Sequence, residues 1–190
     1  MAYSATKPAN GTSLVSADIR ENFRALKEDK IISKMGRVAQ VVNYSSGALA
    51  VATALIPFDD TIPQITEGTE WGTLAITPIL ASSNLMIEVV LQVGRTNYLA
   101  GYQTAALFVD STANAICVAA SYEDNYAASI AGMQTIAMRL YVAASSTTTR
   151  TYKVRFGASA NYMNINGVGA GRIFGGMCVS SITITELYTV

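Results

Sequence analysis

Beyond residue 37 the chain is a succession of short, β-branched, alternating segments, broken by Gly, Asn, Ser or Pro and with no helical stretch between them. That pattern disfavours a βαβ sheet, whose parallel strands need helical crossovers, and favours an antiparallel β-sandwich of jelly-roll type. The predicted strands cover 37–44, 48–57, 73–77, 85–94, 104–110, 115–121, 134–144 and 151–158, with a terminal pair around 172–174 and 179–187. Alternation also assigns faces: Leu85, Ile87, Val89, Leu91 and Val93 fall on one side of their strand, which should be core. In the last segment the apolar set is Ile182 and Ile184, the threonines face outwards, and the chain end is held in a sheet.

The first 36 residues have another texture. MAYSATKPANGT carries Pro8 and an Asn10-Gly11 turn signal among small polar residues, and reads as an extended arm. Ser16 is a candidate N-cap with Asp18 in the first turn, and Ile19, Phe23 and Leu26 follow at helical spacing. The result is an amphipathic helix of about 18 residues, roughly 27 Å long, ending near Met35-Gly36. A lone helix of that length is marginal in water. Its narrow apolar stripe therefore packs on sister helices, on the β domain or on another protein. The chain divides into an arm and anchoring or oligomerisation helix over 1–36 and a β-sandwich head over 37–190.

Charge follows the same division. The 13 basic and 13 acidic residues cancel, which argues against a nucleic-acid partner needing clustered Lys and Arg. Seven bases and four acids lie within residues 1–37, leaving six and nine for the remaining 153 residues. The head is thus only about 10% charged, against roughly 25% in average soluble proteins, a composition suited to covering its surface with copies of itself. The start lacks the basic and apolar runs of a secretory signal, so the chain is expected to stay in the cytosol with reduced thiols. The longest apolar runs, 47–58 and 85–93, are too short to span a bilayer, and no membrane insertion is expected.

Little in the chain offers catalysis. Histidine is absent, which removes the usual general base near neutral pH, the commonest metal ligand and every Ser-His or Cys-His arrangement. Cys117 and Cys178 sit alone in predicted strands without CxxC spacing and are expected to be buried, inert thiols. Asp59-Asp60, Glu67 with Glu70, and Glu123-Asp124 would each give a glycosidase its two carboxylates, but all fall in predicted turns, where acids serve the backbone. The run Asn166-Gly167-Val168-Gly169-Ala170-Gly171-Arg172 is followed by a strand rather than a helix, so it reads as a hairpin and not a phosphate cradle. No catalytic residue, metal site or cofactor is expected. The aromatic residues are more suggestive, since saccharide rings stack on aromatic faces. Trp71 beside Gly72, Tyr98 and Tyr102 flanking the Ala100-Gly101 turn, and Tyr122, Tyr126 and Tyr162 in predicted loops are candidates for glycan contact or for an oligomer interface, with Trp71 alternatively covering the end of the sandwich.

The N-terminal stretch SLVSADIRENFRALKEDKI resembles the virion-attachment segments of tailed-bacteriophage fibre proteins. FDDTIPQITEG, LAITPILASSNLMIEV, AALFVDS, RLYVAASSTTTRTYKVRFGA, NINGVGAGRIFGG and SSITITEL resemble the C-terminal β domain of phage tail-fibre and related virion proteins. The resemblance covers most of the chain and implies a virion location, a homotrimer, a short N-terminal anchor over Leu14 to Lys30, with Leu14, Ile19, Phe23 and Leu26 on it, that contacts other virion proteins, and a displayed domain from about Phe58 onward, whose aromatic residues are the candidates for contact with host-surface polysaccharide. It transfers no catalytic residue. Long fibres of that family insert a shaft between anchor and head, for which 190 residues leave no room. A capsid, collar or tail decoration or adaptor protein is the alternative; a glycan depolymerase would lack the length of the usual β-helix enzymes.

Overall fold

The computed structural model of the protein describes residues 19–24, 37–96, 100–123, 132–160, 163–169 and 171–188. Among the described residues twelve strands follow one another: β1 (Val38–Ser46), β2 (Ala50–Val51), β3 (Thr69–Ile76), β4 (Asn84–Arg95), β5 (Gly101–Val109), β6 (Cys117–Glu123), β7 (Met133–Ala143), β8 (Arg150–Ala158), β9 (Met163–Ile165), β10 (Gly167–Val168), β11 (Gly171–Arg172) and β12 (Ser180–Leu187).

The long strands divide between two antiparallel sheets. One runs β1, β12, β4, β7, with β9 and then β2 continuing beyond β12 along the far end of β4. The other runs β3, β8, β5, β6. Strands β1, β4, β7 and β12 therefore share the first sheet and β3, β5, β6 and β8 the second, the eight-stranded double Greek-key order of a jelly roll. At the flanks, β1 lies against β3 and β6 against β7.

The inward side of β4 is the one its alternation predicts: Leu85, Ile87, Val89, Leu91 and Val93 are at most 1% exposed. They meet Leu107 of β5, Tyr152, Val154 and Phe156 of β8, and Ile182 and Ile184 of β12 in one continuous core. Each such side chain contributes about 1.5–3 kcal/mol relative to exposure, which makes this facing register strongly specified.

Several predicted elements differ. Residues 48–57 supply only β2; beyond it the chain leaves the first sheet as a strap across the outer face of the second. The Ile56 amide donates to Ala158 O, the Gly68 amide to Leu55 O, and Ile56 packs on Ala106 and Phe108. Gly157 lies beneath the strap, where a Cβ would stand 2.8 Å from Ala54 O. The predicted strand at 172–174 stops at Arg172, because Phe174 adopts φ 47° and opens a 3-10 turn over Phe174–Gly176. Met163–Ile165 pairs as β9 although no alternation marks it. Thr185 is buried, against its outward assignment, and so is Glu186. At the N-terminus residues 19–24 are helical; the cap at Ser16, Leu14, Leu26 and the expected end near Met35 lie outside the described residues.

Candidate binding site on the outer face of the second sheet

Odd-numbered residues of β5 point into the core, so Tyr102, Thr104, Ala106 and Phe108 form its outer row. Antiparallel register sets Tyr102 opposite Tyr122, Thr104 opposite Ala120 and Ala106 opposite Val118. The strap then delivers Phe58 onto this row. Its ring stacks on Tyr102 with centroids 3.4 Å apart and planes 2° from parallel, and Tyr102 meets Tyr122 at 4.9 Å and 54°. Phe58 and Tyr122 remain 54% and 50% exposed, so the cluster is a partly open aromatic surface.

Beside the cluster a groove of about 430 Å³ runs between strap residues 57–63 and the β5–β6 surface. Its apolar walls include Phe58, Ile62, Ile116 and Val118, and Asp59 and Asp60 bring acidic groups to it. The hydroxyl of Thr104, another lining residue, is buried without a hydrogen-bond partner among the described residues. Asp59 accepts from the Thr61 hydroxyl and amide, at 2.5 and 2.9 Å, and these bonds hold its carboxyl below the ordinary value against a small opposing effect of burial. The strap is pinned at its far end: the Ile65 amide donates to Ala113 O, the Ala115 amide to Pro63 O, and Gln64 Nε2 to Asn114 Oδ1.

Tyr102 and Tyr122 are therefore brought together, but on strands rather than in the predicted loops, while Trp71 belongs elsewhere. It lies half-buried in β3, packs on the core and meets Tyr44 edge-on at 5.3 Å. Tyr98, Tyr126 and Tyr162 lie outside the described residues. Phe58 was missed by sequence reasoning; its only signal is a lone aromatic between Pro57 and two aspartates, which says nothing of what it covers.

The carboxylate pairs also sort differently from expectation. Asp59-Asp60 is a bend, as predicted, but Glu70 and Glu123 are in strands. Glu67 accepts from the Gln64 amide, and Glu70 accepts from Thr73 Oγ1 with Arg155 Nη1 at 3.6 Å. Glu123 is 8% exposed, pairs with the buried Arg95 at 3.3 Å, and accepts from Gln103 Nε2 at 2.6 Å and from the Gly132 amide at 2.7 Å. Asp124 lies outside the described residues. Each of Asp59, Glu67, Glu70 and Glu123 is engaged by donors of its own chain.

Glu186 is the most deeply satisfied acid. Fully buried, it accepts from Gln40 Nε2 (2.6 Å), Ser83 Oγ (2.5 Å) and the Ile79 and Leu80 amides (2.9 and 3.1 Å). Burial alone would raise its carboxyl, but these donors together hold it below the ordinary value. Burial pushes the Tyr152 phenol up, opposed by the nearby Arg150.

Neither thiol is buried as expected. Cys117 opens β6 half-buried and lines the groove; Cys178 is half-buried just past the 3-10 turn, outside any strand. The glycine-rich run forms the β10–β11 hairpin, with Gly167 opposite Arg172. Asn166, at φ 64°, donates to Ser46 O and Ala48 O and accepts from Ser180 Oγ, so this corner ties β1 and β12 together. Among the described residues no group of three or more metal-ligating side chains occurs, and no helix is long and apolar enough to cross a membrane.

No protein-family model and no curated protein matches the chain. Among solved structures it is similar to an Eiger TNF from S. frugiperda, at 10% identity and a TM-score of 0.43 over 79% of this chain and 94% of that one. It is also similar to a chain of infectious bursal disease virus, Gt strain (12% identity, TM-score 0.39, 81% of this chain), and to the enzymatically active domain of tailspike protein 4 of bacteriophage CBA120 (11%, 0.23, 80%). The chain spans 39% and 19% of the length of those two.

Proposed function

We propose that this protein is a non-enzymatic structural component of a tailed-phage virion: a short homotrimeric knob, held to the particle by its N-terminal segment and displaying the jelly-roll head. The observation that carries the reading is the state of the anchor helix. Ile19 and Phe23, one turn apart on the same face, are 40% and 69% exposed, so the described turn of helix presents apolar side chains that the head does not cover. The sequence resemblance supplies the virion setting, and the sparsely charged head suits assembly with copies of itself.

The aromatic cluster favours display over mere decoration. Tyr122, half exposed at the edge of the cluster where it meets Tyr102, offers ring surface outside the groove, the kind of face that a host-surface polysaccharide engages. Three weak sites on one knob would act together through avidity. Phe23→Asp tests the anchor. Particles assembled with the variant should lack the protein while the purified head unfolds at an unchanged temperature; normal copy number in the particle would refute the anchor.

A further inference from the structure

The two most exposed large apolar residues among those described are adjacent in space along one turn. Phe174 is 78% and Met177 82% exposed, at the ends of a turn in which Phe174, Gly175 and Gly176 have φ of 47°, 61° and 93°. An aromatic residue at positive φ is costly, by about 1–3 kcal/mol, and such outliers persist where surrounding structure imposes them. Here the amides of Gly176 and Met177 close the turn onto Ile173 O and Phe174 O, and Gly47 packs so closely that a Cβ there would stand 2.0 Å from Gly176 O. The turn is a preformed apolar knob with the Arg172 guanidinium beside Gly176. Among the described residues neither Arg172 nor Asp60 forms an ion pair.

The groove is the complement of this knob. It is apolar along Phe58, Ile62 and Val118, acidic at Asp59 and Asp60, and it holds about 430 Å³. The knob follows β11 beside the β1–β2 turn, while the groove lies over β5 and β6, on the flank where β6 meets β7. We propose that the knob of one copy docks in the groove of the next, with Phe174 and Met177 against Phe58, Ile62 and Val118, and Arg172 facing Asp59 and Asp60. Such a contact is heterologous, joining two different patches, and it closes into a ring when the rotation permits. A preformed knob lowers the ordering cost of association. The inference rests on the self-association in the proposed function and names the surfaces that carry it.

The two native cysteines test it without substitution, because Cys117 lines the groove and Cys178 follows the knob. A short bis-maleimide applied to the full chain should join Cys178 of one copy to Cys117 of another, identified as a 117–178 cross-linked peptide in a species heavier than 20.1 kDa. Phe174→Ser with Met177→Ser, both on exposed positions, should reduce that cross-link at least tenfold. Asp60→Arg should weaken it and added Arg172→Asp should restore it. Oligomers giving only 117–117 or 178–178 links, or unaffected by the knob variants, would overturn the proposal while leaving self-association standing. A monomer at all concentrations by light scattering would overturn both. Protection of Cys117 by host polysaccharide without any 117–178 link would assign the groove to a glycan instead.

Discussion

Replacing Glu186 by Gln keeps the shape of the side chain and removes its charge from a site with no exposed surface. Four donor groups converge on the carboxylate, from Gln40, Ser83, Ile79 and Leu80. Hydrogen bonds to a charged acceptor contribute about 1.5–3 kcal/mol each and neutral ones about 0.5–1.5, so loss of charge weakens every one. The new NH₂ group must also face a donor, since one carboxylate oxygen receives Gln40 Nε2 and the other Ser83 Oγ. Gln40 keeps its second bond to Thr77 O, and the single Ser83 hydroxyl proton can turn to Leu80 O instead, which limits the damage. The expected cost is about 2–4 kcal/mol at pH 7, read as a lower urea midpoint at unchanged slope and fixed protein concentration.

The pH dependence has a definite sign. Because the folded carboxyl is held below its ordinary value of 4.5, its contribution is complete above that pH and is lost as pH falls through the lower folded-state value. The gap between parent and Glu186→Gln should therefore shrink below pH 4.5. A variant within about 0.5 kcal/mol of the parent at pH 7, with the same acid sensitivity, would refute the assignment of Glu186 as the clamp between β12, β1 and the 77–83 turn.

Glu123→Ala should destabilise the head by about 3–5 kcal/mol in the same urea assay, because it leaves Arg95, 4% exposed, as an uncompensated buried charge; joint replacement Arg95→Met with Glu123→Leu should recover most of the loss. Gly47→Ala should cost about 1–3 kcal/mol and displace the 174–177 turn, since the new methyl meets the backbone oxygen of Gly176; an unchanged midpoint would show that the turn yields freely.

The jelly roll was legible because its core strands alternate cleanly: in β4 five apolar side chains fall on one face, and burial follows the pattern from Leu85 to Val93, after which Gly94 and Arg95 are both buried. Alternation says nothing about which sheet a segment joins. The segment around Ala52 and Ile56 has strand-like texture, yet Ile56 packs on Phe108 outside the second sheet rather than in the central core. Glu186 was equally hidden, since its burial depends on donors from residues 40 and 79–83, more than 100 positions away. The aromatic candidates illustrate both sides. Tyr102 and Tyr122 were recognisable as candidates by residue type, but their meeting required the β5–β6 register, and Phe58 joins them only because the strap crosses there.

The most direct test of the account is a cryo-electron reconstruction of the assembled particle with this chain traced in it. The account predicts three heads around a local threefold axis, the helix at Ile19 and Phe23 buried against a virion neighbour, and Tyr122 facing solvent. Heads present as isolated single copies, or with the N-terminal helix touching no other protein, would contradict it.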